Sequence, residues 1–134
     1  MSTIKINAIV PLLQVFDMPS SLSFYRDKLG FTVMQQSPGG DNCDWVLLGL
    51  NHTELMLNTA YEKEQRPMTA DIAKTIHHAD TCLYFSCPDV EGAYKALLNL
   101  ELKPSKPVTT KYNFTAFELT DPDGYILCFH WQNN

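Results

Sequence analysis

The chain is 134 residues long, 45 % hydrophobic and 19 % charged, with a formal net charge of -5; this is the profile of one soluble globular unit that buries roughly two-thirds of its unfolded surface. Its 10 Lys and Arg residues are scattered and outnumbered by 15 acids, which disfavours a sequence-independent grip on nucleic acid, because that grip needs clustered cations to release counterions. No apolar run approaches the roughly 18 residues of a membrane span, and Met1-Ser2-Thr3-Ile4-Lys5-Ile6 holds no long apolar signal core, so the expectation is a cytoplasmic protein whose cysteines stay reduced.

Ile6 to Val15 reads as a strand. Asp17 to Leu29 has helical spacing through Leu22, Tyr25 and Leu29, and Gly30 follows as the residue that ends it. Phe31 to Gln36, Trp45 to Leu50 and Glu54 to Asn58 then read as three short strands, separated by Pro38-Gly39-Gly40-Asp41-Asn42 and Asn51-His52-Thr53. The first half is therefore βαβββ, covering residues 4–60.

A polar stretch over 61–80 joins it to a second half, 81–134, that begins with another strand-like run from Thr81 to Ser86. Asp89 is placed to cap a helix whose Val90, Ala93, Tyr94, Leu97 and Leu98 form a buried stripe. Pro104 and Pro107 then confine Val108 to Tyr112 to an edge strand. Last comes a hairpin, Phe114 to Leu119 and Tyr125 to Trp131, closed by Asp121-Pro122-Asp123-Gly124, where Pro presets φ and Gly accepts the positive φ of a tight turn. The second half repeats βαβββ as an order of elements, without close identity of residues. The fold class expected is α+β: two βαβββ modules of one domain, their sheets making a curved mixed surface around a concave cleft of the kind that holds ligands.

Val15-Phe16-Asp17-Met18, then Ser21, Phe24-Tyr25 and Leu29-Gly30-Phe31, together with Asp121-Pro122-Asp123-Gly124-Tyr125, resemble the vicinal oxygen chelate superfamily. That superfamily includes glyoxalase I, extradiol dioxygenases, fosfomycin-resistance enzymes and bleomycin-resistance proteins. The resemblance covers the whole chain and implies paired βαβββ modules, a homodimer and a ligand cleft. It also implies metal ligands, usually His, Gln or Glu, at one inward position on the first and last strand of each module in the members that are enzymes. Spacing puts those positions at Val10, Met56, Cys82 and Cys128. A hard divalent ion needs oxygen and imidazole donors, which this set lacks, and a shift by one residue supplies none either. The resemblance therefore points to the metal-free, drug-binding members, with no metal and no cofactor.

Cys82 and Cys128, with His130 on the same strand face, invite a soft-metal or redox reading, against which stands the habit of free Cys to act as a small buried hydrophobe. Cys43 and Cys87 belong to no CxxC pair. His77 and His78 are adjacent, so their side chains point apart, and a solvated connecting segment is the expectation for them; His52 is expected to be exposed in a turn.

Strand parity brings Leu12, Gln14, Glu54, Met56, Asn58, Cys82, Tyr84, Ser86, Ile126, Cys128 and His130 to the inward face, and Trp45, Phe114, Phe117, Tyr84 and Trp131 offer aromatic surface for a planar ring, with core packing the default for each. Glu54 is the candidate partner for a cationic group, and Gln14 and Asn58 for hydrogen bonds; a surface role for these three stays open. The leading reading is a metal-independent protein that binds a small molecule, sequestering an antibiotic or a planar aromatic ligand. The alternatives are a divalent-metal lyase or dioxygenase of the same superfamily, an enzyme using Glu54 as acid and His130 as base, and an interaction module whose cleft is filled by its own side chains.

Overall fold

The computed structural model describes residues 3–61, 65–69 and 72–133. The chain forms two compact units, Met1–Arg66 and Pro67–Asn134, and the architecture is α+β.

In the first unit, β1 (Leu12–Val15), α1 (Met18–Leu22), β2 (Thr32–Gln36), β3 (Trp45–Leu50) and β4 (Thr53–Thr59) follow in the expected order. The sheet runs β1-β4-β3-β2, with β1 parallel to β4 and the other pairs antiparallel. Leu13, Val15, Val46, Leu48, Leu55 and Leu57 share one face and are all buried. Against it pack Met18, Leu22 and Tyr25 of the helical segment, also buried.

The Asp17 carboxylate caps α1 by accepting the Ser20 N–H at 3.2 Å, and Pro19 occupies the first turn, where no N–H is needed. Beyond Leu22 the helix departs from the expected regular spacing and widens into a π-type stretch, Ser23–Lys28. The wider turn lets two consecutive aromatics, Phe24 and Tyr25, both reach the core, their rings edge to face at 4.9 Å. Gly30, at φ +93°, ends the helix, with Phe31 N–H donating back to the Tyr25 carbonyl at 2.9 Å.

The first strand is shorter than the Ile6 to Val15 expected from its apolar residues. Pairing with β4 begins only at Leu12, opposite Met56, and Ile4, Ile6 and Ile9 are exposed.

The second unit opens with α2 (Ile72–Thr75), which continues as a 3-10 turn over Ile76–Asp80. Then come β5 (Cys82–Ser86), α3 (Val90–Asn99), β6 (Val108–Thr109), β7 (Phe114–Thr120) and β8 (Ile126–Gln132). Its order, β5-β8-β7-β6, repeats the topology of the first unit, with β5 parallel to β8. Asp89 caps α3 through the Gly92 N–H at 3.0 Å. Leu127, Leu119 and Phe117 are buried on the face toward α3, where Phe117 stacks on Phe129 at 4.9 Å and meets Tyr94 of α3 edge-on at 5.8 Å.

The Asp-Pro-Asp-Gly turn is held from inside. Buried Asp121 accepts the N–H groups of Asp123 and Tyr125 through Oδ1, each at 2.9 Å. Gly124 sits at φ +90°, and a Cβ there would lie 3.3 Å from the Thr75 carbonyl oxygen; both the φ and the close approach of α2 require glycine.

His78 corrects the expectation of a solvated His77-His78 segment: His77 is exposed, but His78 is half-buried. Its ring stacks on Tyr125 at 4.0 Å, and Nδ1 lies 2.8 Å from the Asp123 carbonyl. A carbonyl only accepts, so Nδ1 donates to it, and Nε2 lies 3.2 Å from the Tyr125 hydroxyl. His52 lies exposed in the β3–β4 turn.

Candidate functional site

Each sheet has one face covered by helix and one face left open, and directly paired residues share a face, which locates every candidate. On the open face of the first unit, Leu12, Met56 and Leu47 form one row, and Gln14, Asn58 and Trp45 the next. Glu54 lies on the same face beside Gly49. Trp45 leans over the sheet, its indole N–H donating to Met56 Sδ at 3.3 Å. Met34 covers Gly49 closely: a Cβ there would come within 3.1 Å of Met34 Cγ. Leu12 and Met34 leave apolar surface exposed. Gln14, Trp45, Glu54, Met56 and Asn58 are thus gathered on one face.

On the open face of the second unit, Tyr84, Cys128 and Glu118 stand in one row across β5, β8 and β7, and Ser86, His130 and Ala116 in the next. Cys82 and Phe114 flank these rows on the same face. Tyr84 meets the His130 ring edge-on at 5.3 Å, and Phe114 does so at 5.8 Å. Cys82, Tyr84, Cys128 and His130 are gathered as their spacing implied.

Phe117 is the exception. It is 1 % exposed and points to the α3 side, because it is one residue out of phase with Ala116 and Glu118, so its placement among inward-facing aromatics is corrected. The aromatic that β7 does present is Phe114, three residues earlier and of opposite parity. Glu118 escaped the sequence reading as a site residue. The hairpin turn could have found it, since pairing Thr120 with Ile126 fixes Glu118 opposite Cys128.

All four cysteines are free, and Cys43 and Cys128 are buried. Desolvation, then the proximity of Cys82 and the Glu118 carboxylate, push the Cys128 thiol up to about 11. Desolvation and Glu118 also raise the Cys82 thiol. Tyr84 is raised as well, chiefly by Cys128 and Cys82. Both thiols are thus harder to ionise than a free cysteine, which makes them poor nucleophiles near neutral pH.

The positions at which the resembling enzymes hold a metal do not fit one here. Val10 has no donor atom, Met56 offers a thioether already accepting the Trp45 N–H, and Cys82 and Cys128 offer soft sulfur where a hard divalent ion takes oxygen or imidazole. Among the described residues no three His, Cys, Asp or Glu side chains converge on a metal-sized position. A small notch beside Met18, Cys43, Asp44, Tyr61 and Arg66 has room for about a single water. Arg66 there is engaged by Asp17 at 2.9 Å.

No helix among the described residues is long and apolar enough to cross a membrane. A bleomycin-binding protein solved in complex with bleomycin is similar in fold, with a TM-score of 0.68 at 19 % identity over 96 % of this chain and 100 % of that one. A bleomycin resistance determinant encoded on the transposon Tn5 gives a TM-score of 0.70 at 16 % identity, over 96 % of this chain and 100 % of that one. Lactoylglutathione lyase from Agrobacterium tumefaciens gives 0.67 at 16 % identity over 94 % of each chain. No curated protein matches the chain. The model of the Glyoxalase/Bleomycin resistance protein/Dioxygenase superfamily matches residues 5–129, and the chain belongs to that superfamily.

Proposed function

We propose that the chain is a metal-independent small-molecule binding protein, a homodimer that sequesters an antibiotic or another planar aromatic ligand rather than turning it over. The observation behind this reading is the donor set: Val10, the Met56 thioether and the sulfurs of Cys82 and Cys128 stand at the positions the resemblance assigns to hard-metal ligands, with no oxygen or imidazole donor among them. A Lewis-acid lyase or dioxygenase step needs carboxylate or imidazole donors with open coordination positions, so the lyase reading lacks a centre. The open faces instead combine apolar surface with a few polar groups, the composition of a ligand site. In this reading, on the first unit's face Leu12, Met56 and Trp45 supply contact area while Gln14 and Asn58 orient a ligand, and on the second unit's own face Tyr84, His130, Cys82 and Cys128 supply the contacts. Similarity in fold to two bleomycin-binding or bleomycin-resistance proteins supports the class of activity.

The test is a tryptophan-fluorescence screen of antibiotics, bleomycin included, run with and without EDTA. Saturable quenching that is indifferent to the chelator is expected. Binding or turnover that appears only when a divalent metal is added back would contradict the reading.

A further inference from the structure

The acid best placed for a cation is Glu118, not Glu54. On the first unit's open face Trp45 stands opposite Asn58, four residues along β4 from Glu54, or roughly 13 Å. Those two do not act on one ring. Glu118 lies in the same row as Tyr84, with Cys128 between them. Two strand spacings separate the backbones of Tyr84 and Glu118, about 10 Å, so a fused ring lying on Tyr84 brings a charge at its far side toward the Glu118 carboxylate. Cys128 and Ala116 between and beside them are buried, 3 % and 8 % exposed, with the Tyr84 side chain bonded to the Cys128 thiol, so the surface offered to a ligand is the exposed side of the rings and not the strand beneath. That surface is aromatic: His130 touches both Tyr84 and Phe114 by ring edges, and Tyr84 remains 61 % exposed, free to meet a ligand.

The Glu118 carboxylate has no ion-pair partner among the described residues, where the cations that form pairs, Arg26 and Arg66, engage Asp27, Asp41 and Asp17. Desolvation chiefly raises the Cys82 and Cys128 thiols, and the nearby Glu118 carboxylate adds to it. An unpaired anion beside electron-rich ring faces selects positive charge twice, by Coulomb attraction and by cation–π contact.

We propose that the open face of β5, β8 and β7 takes a planar aromatic cation, its ring against Tyr84, His130 and Phe114 and its charge toward the Glu118 carboxylate. This rests on the reading above that the open faces bind small ligands.

The experiment titrates the full chain at pH 8 and low salt with N-methylquinolinium and with quinoline, its uncharged counterpart at that pH. Calorimetry gives Kd, and aromatic NMR shifts locate the contact. The native protein is expected to prefer the cation by about tenfold. Glu118→Gln removes that preference with quinoline affinity and melting temperature unchanged, Glu54→Gln leaves it intact, and Tyr84→Ala weakens both probes. A preference that survives Glu118→Gln, or shifts that avoid Tyr84, Phe114 and His130, would overturn the proposal. Equal affinity for both probes overturns the cation site alone and leaves ligand binding standing. Failure of both probes and of the antibiotic screen to saturate overturns the two together.

Discussion

Asp121 shows how much one side chain can hold. Its Oδ1 is the acceptor for two backbone N–H groups of the turn, both on residues buried with it, and no solvent is at hand to replace it. Asp121→Ala leaves those donors unsatisfied and should cost about 2–3 kcal/mol in urea unfolding. Gly124→Ala should cost about 1–3 kcal/mol by the same measurement, since alanine must adopt φ +90° against the Thr75 carbonyl. Cys128 makes a prediction in pH. Its thiol is raised in the fold to about 11, above its unfolded value, so the native state binds more protons over that interval. The contribution is fully present below the unfolded pKa and is lost as pH rises toward about 11. Native protein should therefore lose about 1–2 kcal/mol more than Cys128→Ala between pH 8 and pH 11. At the residue scale the turn and the parity of β8 were legible, because Asp-Pro-Asp-Gly is local chemistry. The side of the sheet taken by Phe117 was misread, because it depends on counting from the hairpin register rather than on residue type.

Among elements, α2 and the turn after it do more than connect. His78 clasps the β7–β8 turn through a stacked ring and two hydrogen bonds. His78→Ala should lower stability by about 1–2 kcal/mol and speed amide exchange at Tyr125 while leaving that at Leu57 in the other unit unchanged; protection equal to native at Tyr125 would show that the clasp is idle. The order βαβββ was readable twice, since strand alternation, helix caps and turn residues act over a few positions. Three features were not. The strand order β1-β4-β3-β2 arises from pairing across more than forty residues. The first strand pairs only from Leu12, just past Pro11, which has no N–H to give the ladder, although β4 extends back to Thr53 and the apolar residues continue back to Ile4. The π-type stretch after Leu22 comes from seating Phe24 and Tyr25 together, a demand of the core that helical periodicity does not announce.

The molecule as a whole presents a superfamily fold with altered chemistry at the metal positions, and the family was legible from motif order even though neighbours of the same fold share under a quarter of its residues. The candidate site was legible as a set of strand faces, Phe114 among its aromatics, but Glu118 emerges at its border only with the register in hand. Trp45→Ala tests whether the first unit's face takes part: ligand affinity should fall with melting temperature shifting little, whereas a fall in stability at constant affinity would assign Trp45 to packing over Met56. The most direct test of the central claim is the elemental metal content of the purified protein, as isolated and after incubation with Mn, Fe, Ni, Zn and Co followed by desalting. The donor set predicts that none is retained at a meaningful fraction of the protein under any condition; near-stoichiometric retention of any one would contradict the metal-independent account and turn attention to lyase and dioxygenase substrates.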